Sequence, residues 1–215
     1  MVISQRAATL ASSIAGVPLA RPRSLALVCA LLIPLVMSGS WIVADQLESA
    51  DYSPVRQSVS TLAGHAGRHS WIVTAALYVA GVCYLIVAFC LTQLRWRARV
   101  GLVVAGACSF GIAAFPEPVG GSTPQHVAFT VLGAVTLAIW PLLCLRRDAP
   151  RWTPVSPQLS VLAATVFFGL LMWTFAETRH GDLLGLAERL STGLSGCWAA
   201  VVAYSMRQDV QRTED

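Results

Sequence analysis

Histidine, carboxylate, arginine and serine side chains are the groups in this sequence that could do chemistry, and they are unevenly spread. His65 and His69 stand four residues apart, the spacing at which two imidazoles share one helical face and can reach one metal ion. His126, His180 and Asp182 could complete the three or four ligands that zinc requires. Gly64 and Gly67 interrupt the helical face that the pair needs, and neither HExxH nor paired CxxC occurs. No metal ion and no cofactor is expected.

A nucleophile is the second option. The serines of Gln57-Ser58-Val59-Ser60-Thr61 could be activated by His126, but no Gly-x-Ser-x-Gly elbow accompanies them. Ser and Thr in such places commonly cap helices or tie one helix to another. No complete catalytic set is visible, so no catalytic residue is assigned. The Gly120-Gly121-Ser122 turn lacks the Lys and the strand–loop–helix context of a phosphate-binding loop.

The third option is a polar stripe at a membrane surface. His126 stands directly before the apolar run VAFTVLGAV, and Glu188, Thr192 and Ser195 recur at i, i+4 and i+7 beside Arg189. In one reading His126, Glu188 and Arg189 line a polar cavity. In the other, Glu188 and Arg189 form a structural ion pair or touch lipid headgroups, and His126 sits in the interface. Both readings stand at this point.

The elements that must position these groups are membrane helices. The chain has 215 residues, 55% of them hydrophobic and 12% charged, with a mean hydropathy of +0.63. A soluble domain carries about a quarter charged residues. The apolar residues come in six runs bounded by charge, each near the roughly 20 residues that cross about 30 Å of hydrocarbon. They predict helices near 24–45, 70–94, 99–116, 126–145, 157–177 and 185–206. Residues 1–23 read as a short tail before the first helix and 207–215 as a tail after the last. The predicted fold is an all-α, polytopic bundle of six transmembrane helices.

Arginine distribution sets the orientation. Eleven of the fifteen basic residues lie in the two tails and in the loops after the second and fourth helices; Arg56, Arg68, Arg179 and Arg189 lie on the other side. The positive-inside rule then places both termini in the cytoplasm and the protein in the plasma membrane. All four His and seven of the eleven acids fall on the outer side, at the helix mouths. The net charge of +4 is spread over short loops without a basic recognition element, which excludes nucleic acid as a partner. The six Cys lie inside spans and read as small apolar packing residues.

The longest connection, 45–69, contains a predicted interfacial helix: Ser53 as N-cap, Pro54 at the first position, and Val55, Val59 and Leu62 on one face opposite Arg56, Gln57 and Ser60, stopped by Gly64. Ala105, Ser109 and Ala113, with Gly106 and Gly111, form a small-residue stripe that predicts a close-packing, central third span.

These pieces resemble a known family of membrane proteins, catalogued as domain of unknown function 998. The matching residues are Tyr52-Ser53-Pro54-Val55-Arg56-Gln57-Ser58-Val59-Ser60-Thr61-Leu62, Phe115-Pro116, His126, Gly185-Leu186-Ala187-Glu188-Arg189-Leu190 and Trp198. Glu117-Pro118, Glu188 and Ala63-Gly64 depart from the pattern, which has an Asp, an amide and a Gly there. The resemblance implies a six-helix bundle and no activity.

The expected site is an outward-facing polar cavity capped by 51–64, with Tyr52, Arg56, Gln57, Ser60, Glu117, His126, Glu188 and Arg189 as ligand-binding residues. Arg189 is expected to turn into the bundle and meet the 52–60 segment or the Glu117 loop, because an unpaired guanidinium near hydrocarbon is costly. Its partners are the bilayer and a lipid headgroup or small amphiphile that is bound, sensed or transported. A His- and carboxylate-based membrane hydrolase and an accessory subunit are the alternatives; oligomeric state is not legible. Reporter fusions after Arg97, Arg147 and Arg212 should read as cytoplasmic and those near Gly64, Gly121 and Arg179 as external. An external signal from the loop after the second span would overturn this topology.

Overall fold

A computed structural model describes residues 22–214 of the chain; the predicted tail falls outside them except for its last two positions. The described residues form seven helices: α1 Pro22–Leu47, α2 Val59–Ala63, α3 Ser70–Cys90, α4 Trp96–Ala114, α5 Pro124–Cys144, α6 Pro157–His180 and α7 Leu184–Glu214. Five of them, α1 and α3 to α6, are long and apolar enough to cross a membrane. The sixth long helix, α7, has 31 residues, about 46 Å at 1.5 Å per residue, and carries Glu188 and Arg189 in its first two turns. The chain is an all-α, polytopic membrane protein.

Two predicted boundaries move. The second span ends at Cys90 and not at Leu94, because Arg99 Nε donates to the Ala88 carbonyl (2.7 Å) and the chain turns at Leu91–Leu94. Leu91 and Leu94 remain buried in that turn, so the apolar run outlasts the helix. The last helix continues to Glu214 instead of ending at 206. No Gly or Pro follows Gly196 to interrupt it.

The long helices form a closed ring in which α1 neighbours α3, α3 neighbours α4, and so on through α5, α6 and α7 back to α1. Small residues let them approach: Ala26, Ala30, Ala80, Ala98, Ala105 and Ala203 are all buried. The stripe on α4 packs as expected, with Gly106 against the Gly81 carbonyl and Gly111 against the Phe129 ring. Its helix is not central, however; α4 holds one place in the ring, between α3 and α5. A stripe of small residues fixes how closely helices approach but not how many neighbours a helix has. Large apolar side chains such as Leu35, Phe89, Val131 and Met172 face outward, where lipid is their natural solvent.

All connections that bear on the site lie at one end of the ring, where α1, α4 and α6 finish and α3, α5 and α7 begin. There α2 is seated over the bundle. Its Val59, Leu62 and Ala63 join a buried cluster with Met37, Trp41 and Ala44 of α1, Val73 and Leu77 of α3 and Ala113 of α4. The predicted interfacial helix is shorter than expected. It starts after the N-cap Ser58, whose Oγ accepts from Thr61 N, and ends at Gly64 as predicted. Residues 53–57 instead make a turn in which Arg56 N and Gln57 N both reach the Ser53 carbonyl and Gln57 Oε1 takes Ser53 N–H. Val55, expected on the apolar face, is exposed. The carbonyls of Pro54, Val55 and Gln57 are turned toward α7 and so are unavailable to a helix.

Candidate functional site

What receives those carbonyls is the start of α7. Leu186 N donates to the Val55 carbonyl (3.0 Å). Arg189 Nη1 is shared among the carbonyls of Pro54 (2.7 Å), Gln57 (3.1 Å) and Gly185 (3.1 Å). Nη2 donates to Asp45 Oδ1 (2.8 Å) and to the Tyr52 hydroxyl (2.9 Å). The expected meeting of Arg189 with the 52–60 segment is therefore present. Its acid partner is Asp45, at the end of α1, and not its sequence neighbour Glu188. The planar fork satisfies five acceptors from three segments, which a single ammonium could not do.

Gly185 makes this docking possible. A Cβ there would run into the Pro54 and Gln57 carbonyl oxygens, both backbone atoms. Tyr52, in the loop, has its hydroxyl pushed up from 10.0 to about 12 by burial, against the opposing pull of Arg189.

Glu188 faces the other way around the helix and binds the short helix directly: its Oε2 accepts from Val59 N (2.9 Å). Beside Ser60 stands His126, only 3% exposed, with Nε2 at 3.1 Å from Ser60 Oγ and Nδ1 at 2.9 Å from the Phe115 carbonyl. A carbonyl oxygen can only accept, so Nδ1 carries a proton; in the neutral ring Nε2 is bare and accepts from Ser60. His126 is held there by its helix start: the N-cap Thr123 accepts His126 N at 3.2 Å, followed by Pro124 at the first helical position.

The 115–123 connection closes the group. His65 N donates to the Glu117 carbonyl (2.8 Å), and Gly64 packs so closely on that oxygen that no side chain would fit. The Glu117 carboxyl is pushed above its usual range by burial, while the charge of His126 and a hydrogen bond from Ser122 pull it back. Above these groups lies a polar cleft of about 350 Å³ whose walls include Arg56, Gln57, Ser58, Glu117, Gly120 and Gly121.

The eight candidates are thus brought to one end of the bundle but in three neighbouring sets. Tyr52 and Arg189 belong to the clamp, Ser60, His126 and Glu188 to the hydrogen bonds around the start of α2, and Arg56, Gln57 and Glu117 to the cleft. The single cavity lined by His126, Glu188 and Arg189 is not what forms: none of the three is among the residues lining this cleft, because each is occupied by backbone or side-chain partners of the loop. Two participants were not among the candidates. Asp45 carries a recognisable signal, as the first charge after the apolar run of α1. The Phe115 carbonyl carries none, since any residue supplies one. His65 is exposed and His69 half-buried, and among the described residues no three His, Cys, Asp or Glu side chains converge on a point.

The fold and this polar cap define a multi-pass helical membrane protein with a pinned loop at one end of its bundle. The family model described as "Protein of unknown function (DUF998)" matches residues 27–205, and the chain belongs to that family. No curated protein and no solved structure matches it.

Two measurements probe the clamp. Arg189→Lys keeps the charge but loses the fork, and should destabilise the detergent-solubilised protein by about 2 kcal/mol, read as a lower thermal midpoint. An unchanged midpoint would mean that the clamp bears no load. The raised Tyr52 hydroxyl also implies a pH effect: stability is unaffected below pH 10, where both states are protonated, and is lost as pH rises from 10 toward about 12. Tyr52→Phe should flatten that decline, and an identical decline in the variant would count against it.

Proposed function

We propose that the chain binds, senses or transports a lipid headgroup or small amphiphile at this end of the bundle, which the arginine distribution orients to the outside of the plasma membrane. One observation carries the reading. The polar cleft has Gly120 and Gly121 in its walls, and the next residue, Ser122, lines an apolar groove of about 690 Å³. That groove descends α5 along Pro124, Val127, Val131 and Val135, residues spaced to lie on one helical face. A polar cleft next in sequence to an apolar groove on the lipid side of a span suits a molecule with a headgroup and a chain.

Chemical complementarity supports the same reading. Arg56 is exposed at the cleft and offers a cation with paired donors to phosphate or carboxylate. Gln57 and Glu117 offer further polar contacts in the same walls. Tyr52 and Arg189 act in this reading as positioning residues, because their hydrogen-bonding capacity goes to holding the loop that carries Arg56 and Gln57.

A photoactivatable phospholipid with its reactive group in the acyl chain tests the proposal in vesicles. Crosslinks should concentrate in the 122–135 peptide, and Arg56→Glu should reduce them several-fold while leaving the protein folded. Crosslinks spread evenly over all outward helix faces, and indifferent to Arg56→Glu, would remove the reading.

A further inference from the structure

We propose that Ser60 is a nucleophile and His126 its general base, so that this end of the bundle hydrolyses a carboxylic ester of an amphiphile. The proposal rests on the binding reading for its substrate class but on separate geometry for its chemistry. Two observations carry it.

The first is the Ser60–His126 contact, with Oγ and Nε2 3.1 Å apart, within the range at which an imidazole removes a hydroxyl proton during attack. The second is that the base is itself oriented. The Phe115 carbonyl, 2.9 Å from Nδ1, fixes the tautomer in which Nε2 is the free base and keeps its hydrogen bond when the ring becomes a cation. This is the role that a third group fills behind a nucleophile and its base.

His126 is almost fully buried, yet its base nitrogen is turned to the hydroxyl of a half-buried serine whose sequence neighbours Ser58 and Thr61 line the cleft.

The reaction balances with water as the only co-reactant. Ser60 Oγ forms a bond to the ester carbonyl carbon while its proton passes to His126 Nε2. The tetrahedral adduct collapses, the bond to the alkoxy oxygen breaks, and Nε2 returns the proton to the departing alcohol. Water then attacks the acyl-Ser60 carbonyl, giving its proton to Nε2. The acyl–Oγ bond breaks, the carboxylic acid leaves and Oγ takes the proton back. The headgroup side of the substrate would occupy the Arg56–Glu117 cleft and a chain the α5 groove.

The test uses the full-length chain in lipid nanodiscs with a fluorophosphonate probe. Peptide mass spectrometry should find the phosphonyl group on Ser60, with labelling slowed roughly 100-fold in His126→Gln. Hydrolysis of p-nitrophenyl butyrate should be lost in Ser60→Ala. If His126→Gln fails to fold, Ser60→Cys still decides the matter: its thiol should react with iodoacetamide near neutral pH faster than a surface cysteine in the same protein. No phosphonyl on Ser60, or a Ser60→Cys thiol no faster than the surface one, overturns the proposal. Lipid crosslinking that persists in that case leaves the binding reading intact. Ser60 labelling without crosslinking in the 122–135 peptide keeps the nucleophile and removes the amphiphile.

Discussion

A guanidinium carried into the first turns of a membrane helix has to find an acid, a headgroup or a set of carbonyls, because leaving it bare beside hydrocarbon is expensive. In this chain the protein supplies the partners of both terminal nitrogens, while Nε is buried without one. Arg189 draws Asp45 from the end of α1, Tyr52 from the following loop and the carbonyls of Pro54 and Gln57 onto one fork. A half-buried ion pair of this kind adds little net stability over an apolar replacement, so its main consequence is positional. The carbonyls that it turns toward α7 cannot serve a helix, and α2 therefore begins only after Ser58.

Everything downstream of that clamp follows in register. With α2 starting where it does, Val59 N–H points at Glu188, while Leu62 and Ala63 fill the end of the bundle. Ser60 is then carried to His126. From the other direction, Gly64 and His65 grip the Glu117 carbonyl, which brings the 115–117 backbone over α5 and sets the Phe115 oxygen behind the imidazole. Two glycines, Gly64 and Gly185, allow these backbones to approach at distances that a Cβ would forbid. The hydrogen bonds around the start of α2 and the cleft are thus consequences of how one loop is fastened at both ends.

Val55 was expected on a buried helical face from its spacing with Val59 and Leu62, but helical periodicity holds only where the backbone is helical, and residues 53–57 are a turn. Leu91 and Leu94 read as span because hydropathy registers burial and not conformation. The cavity expected around His126, Glu188 and Arg189 presumed that polar groups at a helix mouth face solvent. Here most of their donors and acceptors are taken by the surrounding segments, and a different trio, Arg56, Gln57 and Glu117, faces the cleft.

By itself the sequence determined that the chain is an all-α bundle that crosses a membrane several times, which groups gather at one end, and that Arg189 must turn inward. Those are statements about transfer free energies, and each residue carries its own. The tertiary structure alone decided that the partner is Asp45, 144 positions away, that a backbone oxygen selects the tautomer of His126, and that Ser60 rather than Ser58 meets it. Hydrogen bonds are directional and short, so which groups share them depends on angstrom-scale placement of segments that lie far apart in the chain.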